Sequence, residues 1–290
     1  MSVTAIVVNY NAGSLLAECV ASLVTSGITD VRVVDNASTD RSLDQLRGQF
    51  GRHDSVRILA NPSNRGFGPA VNDQLPQVDR ENLLIINPDC RLETGALDAL
   101  LRALATDAGI GLAGPAVVDG KGRFEAAACR YFPTPRRAFL AATGLHRLAG
   151  RLPALAGVAN PEVRSLKEVT VVEATSGACM LLRTAAFREV GGFDEGYTLH
   201  AEDLDLMRRL QDHGWSVAYV PAARAVHVQG VSSASRPLWV HRQKHRGLAR
   251  FYARHQAGED NALTRILFRA GLWAHWLALW PVQAWRQWTR

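Results

Sequence analysis

The chain has 290 residues, 47% of them hydrophobic and 21% charged, with a formal net charge of +6. That length suits one large domain or one domain with an appendage, and the composition excludes extensive disorder. The positive charge is carried almost wholly by arginine, which favours anionic partners: nucleotides, nucleic acid or an anionic membrane face.

The β-branched residues 3–8 predict a first strand, ending in the turn Asn9-Tyr10-Asn11-Ala12-Gly13. Leu15, Leu16, Cys19, Val20 and Leu23 repeat at helical spacing up to Gly27. Residues 31–34 predict a second strand, and this β-α-β order implies a parallel pair with a right-handed crossover. Asp35-Asn36-Ala37-Ser38-Thr39-Asp40 follows. A carboxylate at such a tip can accept from a base N–H or a ribose hydroxyl, or the segment can simply cap the next helix.

Residues 56–59 predict a third strand. Arg65-Gly66-Phe67-Gly68-Pro69 then leads into a helix through Ala70, Val71 and Leu75, either a phosphate-cradling loop or a plain turn. Leu83-Leu84-Ile85-Ile86 is an apolar run that reads as a buried fourth strand. Pro88 cannot extend a central strand, so Asn87-Pro88-Asp89 leaves the sheet. Asp89 therefore sits just past the carboxyl end of a core strand, where open α/β sheets bind ligands.

Residues 97–104 predict a helix, and 110–115 a strand and turn. Residues 121–167, rich in Arg, Ala and Pro, are the least legible part: a functional loop or lid, or a surface insertion. A strand at 169–172 precedes Ser176-Gly177, where glycine allows close backbone approach. After the turn Gly191-Gly192-Phe193-Asp194, the carboxylates Glu202, Asp203 and Asp205 fall in the first turn of a helix ending near Gly214. There they serve as dipole partners, and one can be kept ionised as a general base. Residues 217–220 form a short strand. His227 lies in an apolar segment, as a core histidine or a ligand. The four cysteines have no C-x-x-C spacing and read as buried free thiols. No secretory signal pattern and no apolar stretch of about 20 residues is visible.

Taken together these pieces resemble the family 2 glycosyltransferases of GT-A fold, most of all their bacterial rhamnosyltransferase-type members. The matching residues are Val7-Val8-Asn9-Tyr10-Asn11, the segment from Val33 through Asp35 to Asp40, Asn64-Arg65-Gly66-Phe67-Gly68, Asn87-Pro88-Asp89, Gly191-Gly192-Phe193-Asp194, Glu202-Asp203-Leu204-Asp205-Leu206 and His227-Val228-Gln229-Gly230. They run in family order over roughly residues 1–256.

The resemblance implies an α/β fold of GT-A type, a Rossmann-like nucleotide-binding half with a mixed central sheet, plus a C-terminal helical extension. The expected organisation is a transferase domain over residues 1–256 and an amphipathic helical tail over 257–290. Within the domain, about 1–115 would bind the nucleotide-sugar and about 116–256 the acceptor. Implied is inverting transfer from a nucleoside-diphosphate sugar, dTDP-rhamnose first and a UDP-sugar second, to a saccharide or lipid-linked acceptor in cell-surface polysaccharide assembly. Asp35 and Asn9 would hold the nucleotide, with Asn11, Asn36, Arg65, Gly66, Asn87 and Asp89 around it. Asp89 and His227 would bind Mn2+ or Mg2+; Asp203 would be the base, with Glu202 beside it.

The chemistry needs such parts. Breaking a sugar–phosphate bond leaves charge on a diphosphate, which a divalent cation neutralises. Inversion needs a base on the opposite face of the sugar. One departure stands out: Asn87 replaces the first carboxylate of the family's D-x-D motif. From another class, a nucleotidyltransferase would use Asp35 and Asp89 but need no base at Asp203. A silent nucleotide-binding subunit would not need Glu202, Asp203 and His227.

In the tail, Leu263, Ile266, Ala270, Trp273, Leu277 and Trp280 recur at helical spacing. Five of seven tryptophans lie between Trp273 and Trp288, among Arg265, Arg269, Arg286 and Arg290. This suits a helix in a membrane interface, which would place the protein in the cytoplasm, peripheral on the inner face of the membrane. The alternative is packing on the catalytic domain or on a second subunit of a homodimer. The arginines form no stripe with interleaved aromatics outside the tail, so a nucleic-acid partner is not expected.

Overall fold

The computed structural model describes residues 2–125, 128–149, 152–160, 163, 165–228 and 236–288. Gln229 and Gly230 of the last motif, Arg290 of the tail and parts of 121–167 lie outside them. In chain order the elements are β1 (Val3–Asn9), α1 (Leu15–Thr25), β2 (Asp30–Asp35), α2 (Ser42–Phe50), β3 (Val56–Ala60), α3 (Phe67–Asn72), β4 (Asn82–Ile86), β5 (Cys90–Leu92), α4 (Ala96–Thr106), β6 (Ile110–Val118) and β7 (Cys129–Arg130). There follow α5 (Pro135–Thr143), β8 (Thr170–Val171), β9 (Ala174–Thr175), β10 (Cys179–Arg183), α6 (Thr184–Glu189), α7 (Glu202–Asp212), β11 (Ser216–His227), α8 (Pro237–His255) and α9 (Ala262–Trp288).

One mixed sheet runs β3-β2-β1-β4-β10-β6-β11-β5, with β8 added on β11. β1, β2, β3 and β4 are parallel, as the β-α-β reading requires; β10 enters antiparallel between β4 and β6. The central strands are buried on both faces, and their side chains alternate between two cores. Ala5, Val7, Leu84 and Ile86 join Leu16, Leu23, Leu97 and Leu100 of α1 and α4. Ile6, Val8, Leu83 and Ile85 join Phe187, Leu206 and Leu210 of α6 and α7. The parallel pairing of β1 with β2 and β4 brings their carboxyl ends to one rim, which carries the polar loops.

Three elements differ from expectation. The strand at 110 does not turn at Gly114-Pro115 but continues to Val118. β10 bonds only to Leu112 and Ala113, so the N–H that Pro115 lacks is not needed there. β11 is not a short strand but twelve residues long, with a register shift between Val220 and Arg224 that carries it past Pro221 to His227. Helix α8 has no clear apolar period, because its buried side includes His241 and Gln243 as well as Phe251 and Tyr252. The expected tail helix is α9, with Pro281 inside it.

Asp205 is fully buried rather than a solvated cap residue. It accepts from Arg209 Nε (2.7 Å), His255 Nε2 (2.8 Å) and Tyr197 Oη (3.3 Å), tying α7 to α8. Burial would raise its pKa; the His255 hydrogen bond and Arg209 outweigh that and hold it low.

Candidate active site

On the rim above β1 and β2, Asn9 is buried and its Nδ2 donates to Asp35 Oδ1 (2.7 Å) and Ser42 Oγ (2.9 Å). The other Asp35 oxygen accepts from the Ser38 N–H at 3.1 Å. Asn11 Oδ1 accepts from the N–H groups of Thr39 and Asp40, at 2.8 and 3.2 Å. Asn36 Nδ2 donates to the Gly66 carbonyl (2.9 Å), while Asn61 donates back to Asn36 Oδ1 at 2.9 Å. The structure thus brings Asn9, Asn11, Asp35, Asn36 and Gly66 into one hydrogen-bonded loop lattice. Each Asp35 oxygen keeps lone-pair capacity for a further donor. Asn9 Oδ1 is buried and has no partner among the described residues. Arg65 lies apart from this lattice, in an exposed ion pair with Asp73.

Asp89 and His227 meet because β5 begins directly after Asp89 and pairs with the end of β11, Cys90 opposite His227. The Val228 N–H closes the ladder on the Asp89 carbonyl at 2.9 Å. His227 Nε2 stands 3.3 Å from Asp89 Oδ1. On the far side of the ring, Nδ1 stands 3.3 Å from Glu125 Oε1. Burial opposes protonation of His227, but hydrogen bonds to Asp89 and then Glu125 prevail and raise its pKa to about 9. Glu125 was not anticipated. It is buried, and its Oε1 has no well-formed hydrogen bond among the described residues. The hairpin through Asp119 and Gly122 returns Glu125 beside Val117 of β6.

Two carboxylates on one imidazole leave negative charge in the interior, which suits a cation. The described residues form no cage of three or more ligating side chains. Asp89 and His227 Nε2 do converge as an oxygen–nitrogen pair, which fits a metal that also binds diphosphate and water. Asn87 joins by its backbone: its N–H donates to the Ala178 carbonyl (2.9 Å), and its carbonyl accepts from Cys19 Sγ at 3.5 Å. All four cysteines are free and buried, as expected.

The third component enters from α7. His200 and Ala201 precede it with φ of +66° and +70°. Left-handed backbone at two non-glycine residues is costly and concentrates at functional loops. It presents Glu202 and Asp203 at the helix start. Asp203 Oδ2 accepts from the Gly177 N–H at 3.1 Å and from the Arg130 guanidinium. Arg130 also donates to the Thr175 carbonyl at 2.9 Å. Glycine is required at 177, since a Cβ there would lie 2.6 Å from Asp203 Oδ2. Burial, with Asp203 adding to it, raises Glu202 to about 8. Gly177 bonds Asp203 while its neighbour Ala178 bonds Asn87, so Asp203 and the Asn87-Pro88-Asp89 turn share one end of the β4–β10 pair. Arg130 was also missed; it lies in the stretch whose pattern was illegible. A cleft of about 620 Å³ opens beyond Arg130, lined by Tyr131, Glu173, Gln211 and Trp215, but none of Asp89, Glu125, Asp203 or His227 borders it.

This mixed sheet is the GT-A glycosyltransferase fold. GalNAc-T7, in a crystal structure with UDP, GalNAc and Mn2+, matches with a TM-score of 0.60 at 14% identity, over 93% of this chain and 54% of its own, so this chain spans about half of that protein. The mannosyltransferase PcManGT from Pyrobaculum calidifontis, in complex with GDP-Man and Mn2+, also gives 0.60, at 18% identity over 98% of this chain and 73% of its own. The chain belongs to the glycosyltransferase like family 2, whose model matches residues 2–250. It is 30% identical over 286 residues to the N-acetylglucosaminyl-diphospho-decaprenol L-rhamnosyltransferase of Mycobacterium tuberculosis (strain CDC 1551 / Oshkosh), covering 92% of this chain and 89% of that one.

Proposed function

We propose that the protein transfers a deoxyhexose, L-rhamnose, from dTDP-rhamnose to a lipid-linked saccharide at the inner face of the membrane, with inversion. The relative from Mycobacterium tuberculosis, an L-rhamnosyltransferase by name, supports the choice of sugar and acceptor class. The observation that carries the mechanism is the backbone link Gly177-Ala178, which joins the Asp203 carboxylate to the turn bearing Asp89.

In this reading Asp35, Asn9, Asn11, Asn36 and Gly66 form the nucleotide floor. Arg65 would swing from Asp73 towards the phosphates. Asp89 and His227 Nε2 would hold Mn2+ or Mg2+, which when bound offsets charge on the departing diphosphate. Asp203 takes the proton of the acceptor hydroxyl as its oxygen bonds to the sugar C1 and the C1–O bond to the diphosphate breaks with its electron pair. Arg130 and the Gly177 N–H hold the carboxylate for that step, and Glu202 borders the acceptor side.

The Asp203→Asn variant tests this. It should keep its affinity for the nucleoside diphosphate and lose transfer by at least about a hundredfold. Undiminished turnover would remove Asp203 as base. A panel of nucleotide-sugars hydrolysed in the presence of Mn2+ identifies the donor; a preference for UDP-sugars would replace dTDP-rhamnose with the second donor class.

A further inference from the structure

We propose that the outward face of α9, together with the apolar edge of α5 and the turn after it, docks onto an anionic lipid leaflet. This rests on the membrane-side placement in the reading above and names the surface that makes the contact.

Helix α9 is apolar on two opposite sides. One side packs on α8. There Phe268 lies against Tyr252 with ring centroids 4.1 Å apart, His241 Nε2 donates to the Trp276 carbonyl at 3.2 Å, and His245 Nε2 meets His275 Nδ1 at 3.0 Å. At about 100° per residue, Leu263, Ile266, Leu267, Trp273 and Leu277 fall on the other side. These five are 61–65% exposed, and Trp280 continues the row. No described element covers them. A helix packed along one side normally has one apolar stripe, and neither α8 nor α5 covers these residues, so the second stripe needs an occupant.

The charges identify it. Between Ala262 and Trp288 there is no Asp or Glu, whereas Arg265, Arg269 and Arg286 are exposed, Arg269 nearest the row and the other two further round the helix. A second copy of this helix would bring like charges together with no carboxylate to pair them. Anionic headgroups supply the missing sign, while tryptophans sit well at the boundary between headgroups and hydrocarbon. The helix is about 40 Å long at 1.5 Å per residue. No helix of the described chain is long and apolar enough to cross a bilayer, so α9 would lie along the surface. Alongside it, α5 packs against α9 and presents Phe139, followed by Leu145, Leu148 and Leu152, all exposed, with Arg136 and Arg147 among them. The two elements widen the contact from a line to a patch.

Flotation of the full chain with vesicles tests this. Binding is expected to vesicles of equal parts phosphatidylglycerol and phosphatidylcholine and to weaken as salt rises, with little binding to phosphatidylcholine alone. The double variant Trp273→Glu, Leu277→Glu should bind at least about tenfold less, with its melting temperature and its vesicle-free hydrolysis of nucleotide-sugar unchanged. Arg265→Gln with Arg269→Gln should weaken binding to the anionic vesicles only. If the parent binds but the Glu variant binds equally, α9 is not the contact, and the membrane placement survives. If the parent ignores both vesicles, or light scattering shows a dimer that the Glu variant dissolves, the lipid assignment is overturned. Failure of the transferase reading would appear separately, as absent hydrolysis by the parent.

Discussion

Glu125 stands behind His227 as Asp89 stands in front of it. A carboxylate on the remote ring nitrogen fixes the tautomer and leaves Nε2 free to act as a ligand. Glu125→Gln keeps the shape and removes the charge, so Mn2+ affinity measured by electron paramagnetic resonance in the presence of nucleoside diphosphate should fall about tenfold. Unchanged affinity would reduce Glu125 to a core residue. At Glu202 the effect of pH has a definite sign. Its carboxyl titrates near 4.5 when unfolded and at about 8 when folded. The stability it contributes is therefore fully present below 4.5 and is lost as pH rises through about 8. Glu202→Gln should flatten that part of the melting-temperature profile across this range; a parallel profile would argue against the burial.

At the scale of elements, α7 is the piece that joins site to scaffold. Its first turn presents Glu202 and Asp203, and its buried Asp205 joins Arg209 to His255 of α8. Asp205→Ala leaves Arg209 and His255 buried without their partner and should cost roughly 3–5 kcal/mol in urea unfolding. Most of the first half was legible because β1 and β4 are near-continuous apolar runs, β2 carries three valines between charged residues, and α1 and α4 have clean helical spacing. Asp89 could be placed at a strand end from Pro88 alone, but pairing it with His227 needed the family resemblance, since β5 is only three residues long. Helix α8 was hidden because His241 and Gln243 are buried where leucine would have kept the period. Glu125 and Arg130 were hidden because a hairpin and a two-residue strand, rather than any periodic element, carry them.

For the molecule as a whole, Asn87 leaves Asp89 as the single carboxylate of its turn, so the protein by itself offers a cation few ligands. Nucleoside diphosphate would supply the rest, and binding of the two should be mutually reinforcing by the same factor in either order. Calorimetry should record weak Mn2+ binding to the free chain and tighter binding once nucleoside diphosphate is present. Strong binding without nucleotide would contradict this. The loop lattice around Asn9 and Asp35 and the α7 start meet this turn along one rim, which is where such mutual dependence would be transmitted.

The short pairing of β5 with the end of β11 has a consequence for how such chains diversify. Asp89 and His227 are far apart along the chain, yet one rung of a ladder sets their spacing. Between those clipped ends, beside the sheet strands β6 and β10 and the site residues Glu125 and Asp203, the irregular region with α5 and the opening beyond Arg130 forms an insert on the frame. In the proposed reading, its length and lining could be exchanged to suit a different acceptor while Asp89 and His227 keep their spacing.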